Sequence, residues 1–201
     1  MYLSNVHFLV VEDNQFDRQL MRDLLSALGS RHVTTAKDAN EAYKLVKDIN
    51  PDVAIVDWEM RPVSGIEFAR RVRTGKDSPN QFLPIIMVSG HATRGRIFAA
   101  RDSGVNEYVV KPLSVRALFN RIQQVIERPR RFVRIGRYFG PDRRRQAKQF
   151  GGDEKRGVAA PKVKKVAVAD QAMGQEEINA LFNPDEANGG AGGKPGSGSA
   201  R

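Results

Sequence analysis

The chain has 201 residues, enough for one full domain and a long appendage. Its 33 Lys and Arg against 23 Asp and Glu give a formal charge of +10, and the lack of cysteine excludes disulfides and thiol chemistry. No apolar run approaches the roughly 18 residues of a membrane span, and Met1 leads directly into a strand pattern. Neither a span nor a signal peptide is therefore expected, and the chain reads as cytoplasmic.

In chain order, Val6–Val11 is a short apolar run that delivers Glu12-Asp13 at its end. Phe16, Leu20, Leu24 and Leu28 mark a first helix that stops at Gly29. Asp38 with Glu41 reads as a capping box ahead of a second helix carrying Ala42, Leu45, Val46 and Ile49 on one face. Val53–Val56 runs into Asp57, and Ile66, Ala69 and Val72 give a third helix. Ile85–Val88 ends at Ser89, and Thr93 to Ser103 forms a fourth helix closed by Gly104. Tyr108–Val110 ends at Lys111-Pro112. Ser114 caps a fifth helix with the stripe Val115, Leu118, Ile122, Val125 and Ile126, and Arg128-Pro129 ends it.

Short β-rich apolar runs alternating with helices specify a parallel sheet. Sites in such sheets assemble beyond the carboxyl ends of the strands. Glu12, Asp13, Asp57, Ser89 and Lys111 are thus expected in one crevice. Clustered carboxylates call for a cation, and an all-oxygen set without a His or Cys cluster suits Mg²⁺. A carboxylate beside such an ion and a lysine can attack a phosphoryl group and hold it as an acyl phosphate. Lys111 and the Ser89 hydroxyl would then stabilise phosphoryl oxygens.

Residues 1–128 resemble a response-regulator receiver domain of the CheY type. The resemblance rests on Glu12-Asp13, the stretch Asp57-Trp58-Glu59-Met60, Gly65, Ser89, Tyr108 and Lys111-Pro112. It implies a flavodoxin-like, doubly wound five-stranded parallel sheet in the order 2-1-3-4-5. It also implies that Asp57 is the phosphoacceptor, that Asp13, Asp57 and the Glu59 backbone carbonyl hold Mg²⁺ with help from Glu12, and that Lys111-Pro112 is cis. Ser89 and Tyr108 are implied to report phosphorylation to the surface of the fourth helix, fifth strand and fifth helix. The implied donor is a sensor histidine kinase or a histidine phosphotransfer protein. No enzyme activity is expected beyond Mg²⁺-dependent self-phosphorylation and autodephosphorylation. Glu12 and Ser89 stand where Asp and Thr are commoner, Arg61-Pro62 shifts the usual proline by one position, and Glu59 adds a negative side chain near the phosphosite.

Beyond Pro129 the periodicity disappears. Residues 129–165 hold 13 Lys and Arg against 3 Asp and Glu, interleaved with Phe132, Tyr138, Phe139 and Phe150 around a Gly140-Pro141-Asp142 turn signal. The expectation for 129–172 is a mostly disordered basic linker. The alternative is that its basic and aromatic residues bind nucleic acid or a cyclic dinucleotide, and nucleic acid is disfavoured. Residues 173–184 carry a short amphipathic helix with Gly174 as N-cap, Glu177 in the capping-box position and an Ile178, Leu181, Phe182 stripe. The string from Gly174 to Phe182 resembles the N-terminal peptide of the flagellar switch protein FliM. It implies binding to a receiver surface, or to a flagellar or chemotaxis partner. Residues 185–201 read as a disordered Gly-rich tail.

Overall fold

A computed structural model of the chain describes residues 3–143 and 172–182. After a 3-10 turn at Leu3–Asn5, the elements in order are β1 (His7–Val11), α1 (Gln15–Ala27), β2 (His32–Ala36), α2 (Ala39–Ile49), β3 (Val53–Asp57), α3 (Gly65–Thr74), β4 (Ile85–Ser89), α4 (Arg94–Asp102), β5 (Glu107–Val110) and α5 (Val115–Glu127). A hairpin of β6 (Phe132–Ile135) and β7 (Tyr138–Pro141) follows, and then α6 (Gln175–Phe182). The five main strands form one sheet in the order β2-β1-β3-β4-β5, and all pairs are parallel. This is the doubly wound order expected from the resemblance.

Alternation along the strands divides the core in two. Phe8 and Val10 of β1 pack with Met21, Leu25, Leu118 and Ile122, on the face covered by α1 and α5. Leu9 and Val11 pack with Ala42, Val46, Phe68, Val72 and Ile97, on the face covered by α2, α3 and α4. β3 and β4 are buried along their whole length, so they read as unbroken apolar runs. β2, with sequence His-Val-Thr-Thr-Ala, is an edge strand whose first four residues are exposed or half-buried. An apolar run could not reveal it.

Local signals hold with two shifts. Asp38 caps α2 through the amides of Asn40 and Glu41, but the Glu41 carboxylate accepts from Lys37 N rather than from Asp38 N. The reciprocal capping box is instead Ser64 with Glu67 at the start of α3. On α1 the buried residues are Met21 and Leu25, while Phe16 is 86% and Leu20 51% exposed. Each four-residue step overshoots a full turn by about 40°, so a strict i, i+4 stripe walks off the core face.

The basic segment begins with structure rather than with linker, which corrects the expectation for residues 129–143. The hairpin pairs Phe132 with Pro141 and Val133 with Gly140, and it turns at Gly136-Arg137, not at Gly140-Pro141-Asp142. Phe82, Phe132 and Phe139 form a triad with ring centroids 5.3–5.6 Å apart. Beneath it lies the buried Arg73, which donates to Gly104 O, Gln81 O and Asn106 Oδ1 and faces the Phe132 ring. Burial lowers its pKa to about 9, still above neutrality, so the guanidinium is held in place by these acceptors as a cation. Arg143 pairs with Asp102, Arg134 lies over Phe139, and Arg130 bonds Asn106 O and approaches Glu107. Arg143 and Arg130 fasten the hairpin and its entry to the domain, and the Arg134 contact joins the two hairpin strands. No observation among the described residues favours the nucleic-acid or cyclic-dinucleotide alternative. The remainder of the linker, residues 144–171, and the Gly-rich tail expected at 185–201 lie outside the described residues.

Helix α6 lies along the outer edge of β5. Ile178 and Phe182 are fully buried in the α2–α4 core, and Leu181 and Met173 pack against it. Gly174 N donates to the Glu177 carboxylate at 2.9 Å, as the capping pattern requires. Among the described residues no helix is long and apolar enough to cross a membrane.

Behind the hairpin the backbone passes close to Gly104, whose φ is +81° and where a Cβ would lie 2.9 Å from Phe139 O. Gly104→Ala is expected to lower the unfolding free energy by about 1–3 kcal/mol. The readout is a lower urea midpoint at unchanged slope.

Candidate functional site

The carboxyl ends of β1, β3, β4 and β5 deliver Glu12-Asp13, Asp57, Ser89 and Lys111 to one end of the sheet. The centre of this cluster is the Lys111 ammonium. It lies 2.9 Å from Asp57 Oδ1, 2.9 Å from Glu12 Oε2 and 2.7 Å from Asp17 Oδ2. Asp17 was not among the residues anticipated. It sits one turn into α1, behind the Asn14 cap, and that helical spacing from the acidic pair is the signal that could have exposed it.

Glu12 is 5% and Asp57 6% exposed, so both carboxylates are largely removed from water. Burial pushes the Glu12 pKa up, the hydrogen bond from Lys111 opposes that, and the neighbouring Asp57 charge raises it further. Burial alone would lower the Lys111 pKa, but its three carboxylate partners raise it above the ordinary lysine range. The second oxygen of Asp57 accepts from Glu59 N at 2.5 Å. Asp13 is directed elsewhere, with its carboxylate accepting from Arg61 N at 3.2 Å. Arg18 donates to the backbone carbonyls of Glu12 and Asp13 and so fixes the end of β1. Both Arg61-Pro62 and Lys111-Pro112 are cis, the second as expected.

The donor set fits a hard divalent cation by its chemistry. Glu12, Asp13, Asp17 and Asp57 offer only oxygen, and one ammonium faces three of these four carboxylates. Among the described residues no three Asp, Glu, His or Cys side chains already converge in a metal-holding arrangement. Lys111 gathers Glu12, Asp17 and Asp57 to itself, while Asp13 stays with Arg61.

Glu59 does not direct its charge at Asp57. Its side chain pairs with Arg96 at 2.8 Å and with His91 Nδ1 at 3.2 Å, and the Arg96 hydrogen bond holds its carboxyl below the usual range. Ser89 is fully buried, and its hydroxyl both accepts from His91 N and donates to His91 O. The same His91 carbonyl accepts from the Tyr108 hydroxyl at 2.7 Å. Tyr108 is buried edge-on to Trp58 and stacked on Phe182 of α6. The structure thus joins Ser89 and Tyr108 through one loop residue, and it brings Ile178, Leu181 and Phe182 to the far side of Tyr108.

A family model described as the response regulator receiver domain matches residues 8–123. The chain belongs to the response-regulator receiver family. Among similar proteins, chemotaxis protein CheY of Pseudomonas aeruginosa is 35% identical over 120 residues, covering 60% of this chain and 95% of that protein. Chemotaxis protein CheY-3 of Vibrio cholerae is 31% identical over 125 residues, 62% of this chain and 95% of that protein. The solved structure of Vibrio cholerae CheY4 superposes with a TM-score of 0.56 at 29% identity, covering 60% of this chain and 98% of that one. In this receiver the hairpin and α6 lie beyond the span matched by the family model.

The receiver's site depends on a close approach behind the Asp57 backbone. Gly65 N donates to Trp58 O, and a Cβ at Gly65 would lie 2.1 Å from the Asp57 carbonyl oxygen. Gly65→Ala must therefore push α3 away from β3. The expected loss is about 1–3 kcal/mol of stability, measurable by chemical denaturation.

Proposed function

We propose that the chain is a two-component response regulator that accepts a phosphoryl group on Asp57 and signals through protein–protein contact. The observation that supports this most directly is the cluster of Glu12, Asp17 and Asp57 around Lys111 at the strand ends. An Asp57 carboxylate oxygen attacks the phosphorus of a phosphohistidine, carried by a sensor histidine kinase or a histidine phosphotransfer protein, or of a small acyl phosphate. The bond to the donor breaks and the donor keeps its electron pair. Water later attacks the acyl phosphate, releasing phosphate and restoring the carboxylate.

Glu12, Asp13, Asp57 and the Glu59 backbone carbonyl are the groups that would hold Mg²⁺, which supplies charge neutralisation at the transferring phosphoryl. Lys111 neutralises a further phosphoryl oxygen and Ser89 donates to another. Both must leave present partners to do so: Lys111 shares its protons with three carboxylates, and Ser89 bonds His91. Movement of Ser89 changes the loop that also holds Tyr108, which is how the site would reach the surface of α4, β5 and α5. The likeness to chemotaxis proteins supports a role in chemotaxis or flagellar motor control. The α6 stripe of Ile178, Leu181 and Phe182 is read as a ligand for a receiver surface, and the protein as cytoplasmic.

Treatment with acetyl phosphate and Mg²⁺ is expected to add one phosphoryl group, seen by intact mass. The adduct should be absent in Asp57→Asn and greatly reduced when Mg²⁺ is chelated. An adduct of equal yield in Asp57→Asn would assign the acceptor elsewhere.

A further inference from the structure

The β5 edge is where the sheet's hydrogen bonding would otherwise stop, and a single side chain of α6 completes it. Gln175 Oε1 accepts from Val110 N at 3.0 Å, and Gln175 Nε2 donates to Tyr108 O at 3.1 Å. One glutamine thus satisfies an amide and a carbonyl two residues apart, as a neighbouring strand would. Three and seven positions later, Ile178 and Phe182 enter the core, and Phe182 stacks on Tyr108 with ring centroids 6.2 Å apart. The segment is fastened at both ends. Met173 N donates to Ala92 O at 2.7 Å, and the Phe182 carbonyl faces Arg130, which is itself tied to Asn106.

We propose that α6 is a built-in competitor for this groove: an outside partner that docks there does so as an amphipathic helix and must first displace it. The output role of the groove rests on the receiver reading above, whereas its occupation by the chain's own helix does not. The Gln-x-x-Ile-x-x-Leu-Phe spacing matches the groove, so the displacing partner is a helix presenting an amide side chain one turn and two turns ahead of two buried apolar residues. The tether through residues 144–171 makes the self-contact intramolecular, and a segment joined to its own site competes at high effective concentration. Because Phe182 and Trp58 both pack on Tyr108, departure of α6 frees one face of the ring whose hydroxyl is linked through His91 to Ser89.

The test uses the full, unphosphorylated chain, so its result is independent of whether Asp57 accepts phosphate. A fluorescent peptide of residues 172–184 is titrated into the wild-type chain and into Ile178→Asp/Phe182→Asp. The double variant is expected to bind at least tenfold more tightly, because its groove is vacated. Equal affinity for the two chains, or no binding to a double variant that keeps its native circular dichroism, overturns the proposal. Gln175→Ala provides a second measurement that leaves the apolar anchors intact: exchange of the Val110 amide should accelerate at least tenfold, and an unchanged rate counts against the contact. Light scattering should find a monomer. A concentration-dependent dimer abolished by the double substitution would assign the groove to a second copy's helix and overturn the intramolecular form.

Discussion

The Lys111 ammonium, shared by Glu12, Asp17 and Asp57, is the interaction on which the arrangement of this end of the sheet depends. Two like charges about 4 Å apart repel by roughly 4 kcal/mol at an effective dielectric near 20. Three carboxylates brought together by strand ends and the first turn of α1 would therefore be strongly unfavourable without a cation. Lys111 is positioned by the last residue pair of β5, so pairing of the outermost strand determines whether the central carboxylates are neutralised. The balance remains incomplete, since one ammonium faces three carboxylates. An excess of carboxylate over ammonium is the charge balance that suits a divalent ion, and a fully compensated cluster would have little affinity for one.

A second constraint is the pair of edges that an open sheet leaves. β2 is a short, mostly uncovered edge carrying threonines. β5 is treated differently: its outer groups are met by Gln175, its side is covered by Ile178 and Phe182, and its amino end is buttressed by Glu107 between Arg121 and Arg130. The hairpin extends this buttress, since Arg73, Asn106 and Gly104 link α3 and the entry to β5 with Phe132 and Phe139. Of the two additions beyond the receiver, α6 thus lies on β5, the strand that also delivers Lys111 to Asp57, and the hairpin packs on α3 and the turn that enters β5. Contacts made by the tail and chemistry at the site are in this way mechanically adjacent.

The loop after β4 connects them. Glu59, two residues past Asp57, is drawn away by Arg96 and His91. The backbone of His91 bonds both Ser89 and Tyr108. A charge that could have opposed a phosphoryl group is instead used to hold α4 and this loop. Ser89 and Tyr108 are linked without crossing the core, because the two hydroxyls share one carbonyl.

The sequence by itself determined the alternating strand and helix pattern, the cap at Ser114, and the placing of Asp57, Ser89 and Lys111 at strand ends. Buried parallel strands are continuous apolar runs, and their last residues stand out by contrast. It also marked Ile178, Leu181 and Phe182 as one face of a helix, because that spacing has few other uses. Only tertiary structure decided the rest. β2 was hidden because an edge strand need not be apolar. Asp17 joined the site because a helix turn placed it beside a lysine 94 positions away. The hairpin was masked by arginines that look solvated in sequence, yet find carbonyls, aromatic rings and buried acids in the fold. What the tail helix touches was likewise decided in three dimensions, since an amphipathic face states that it needs a partner but not that the partner is the chain's own β5 edge.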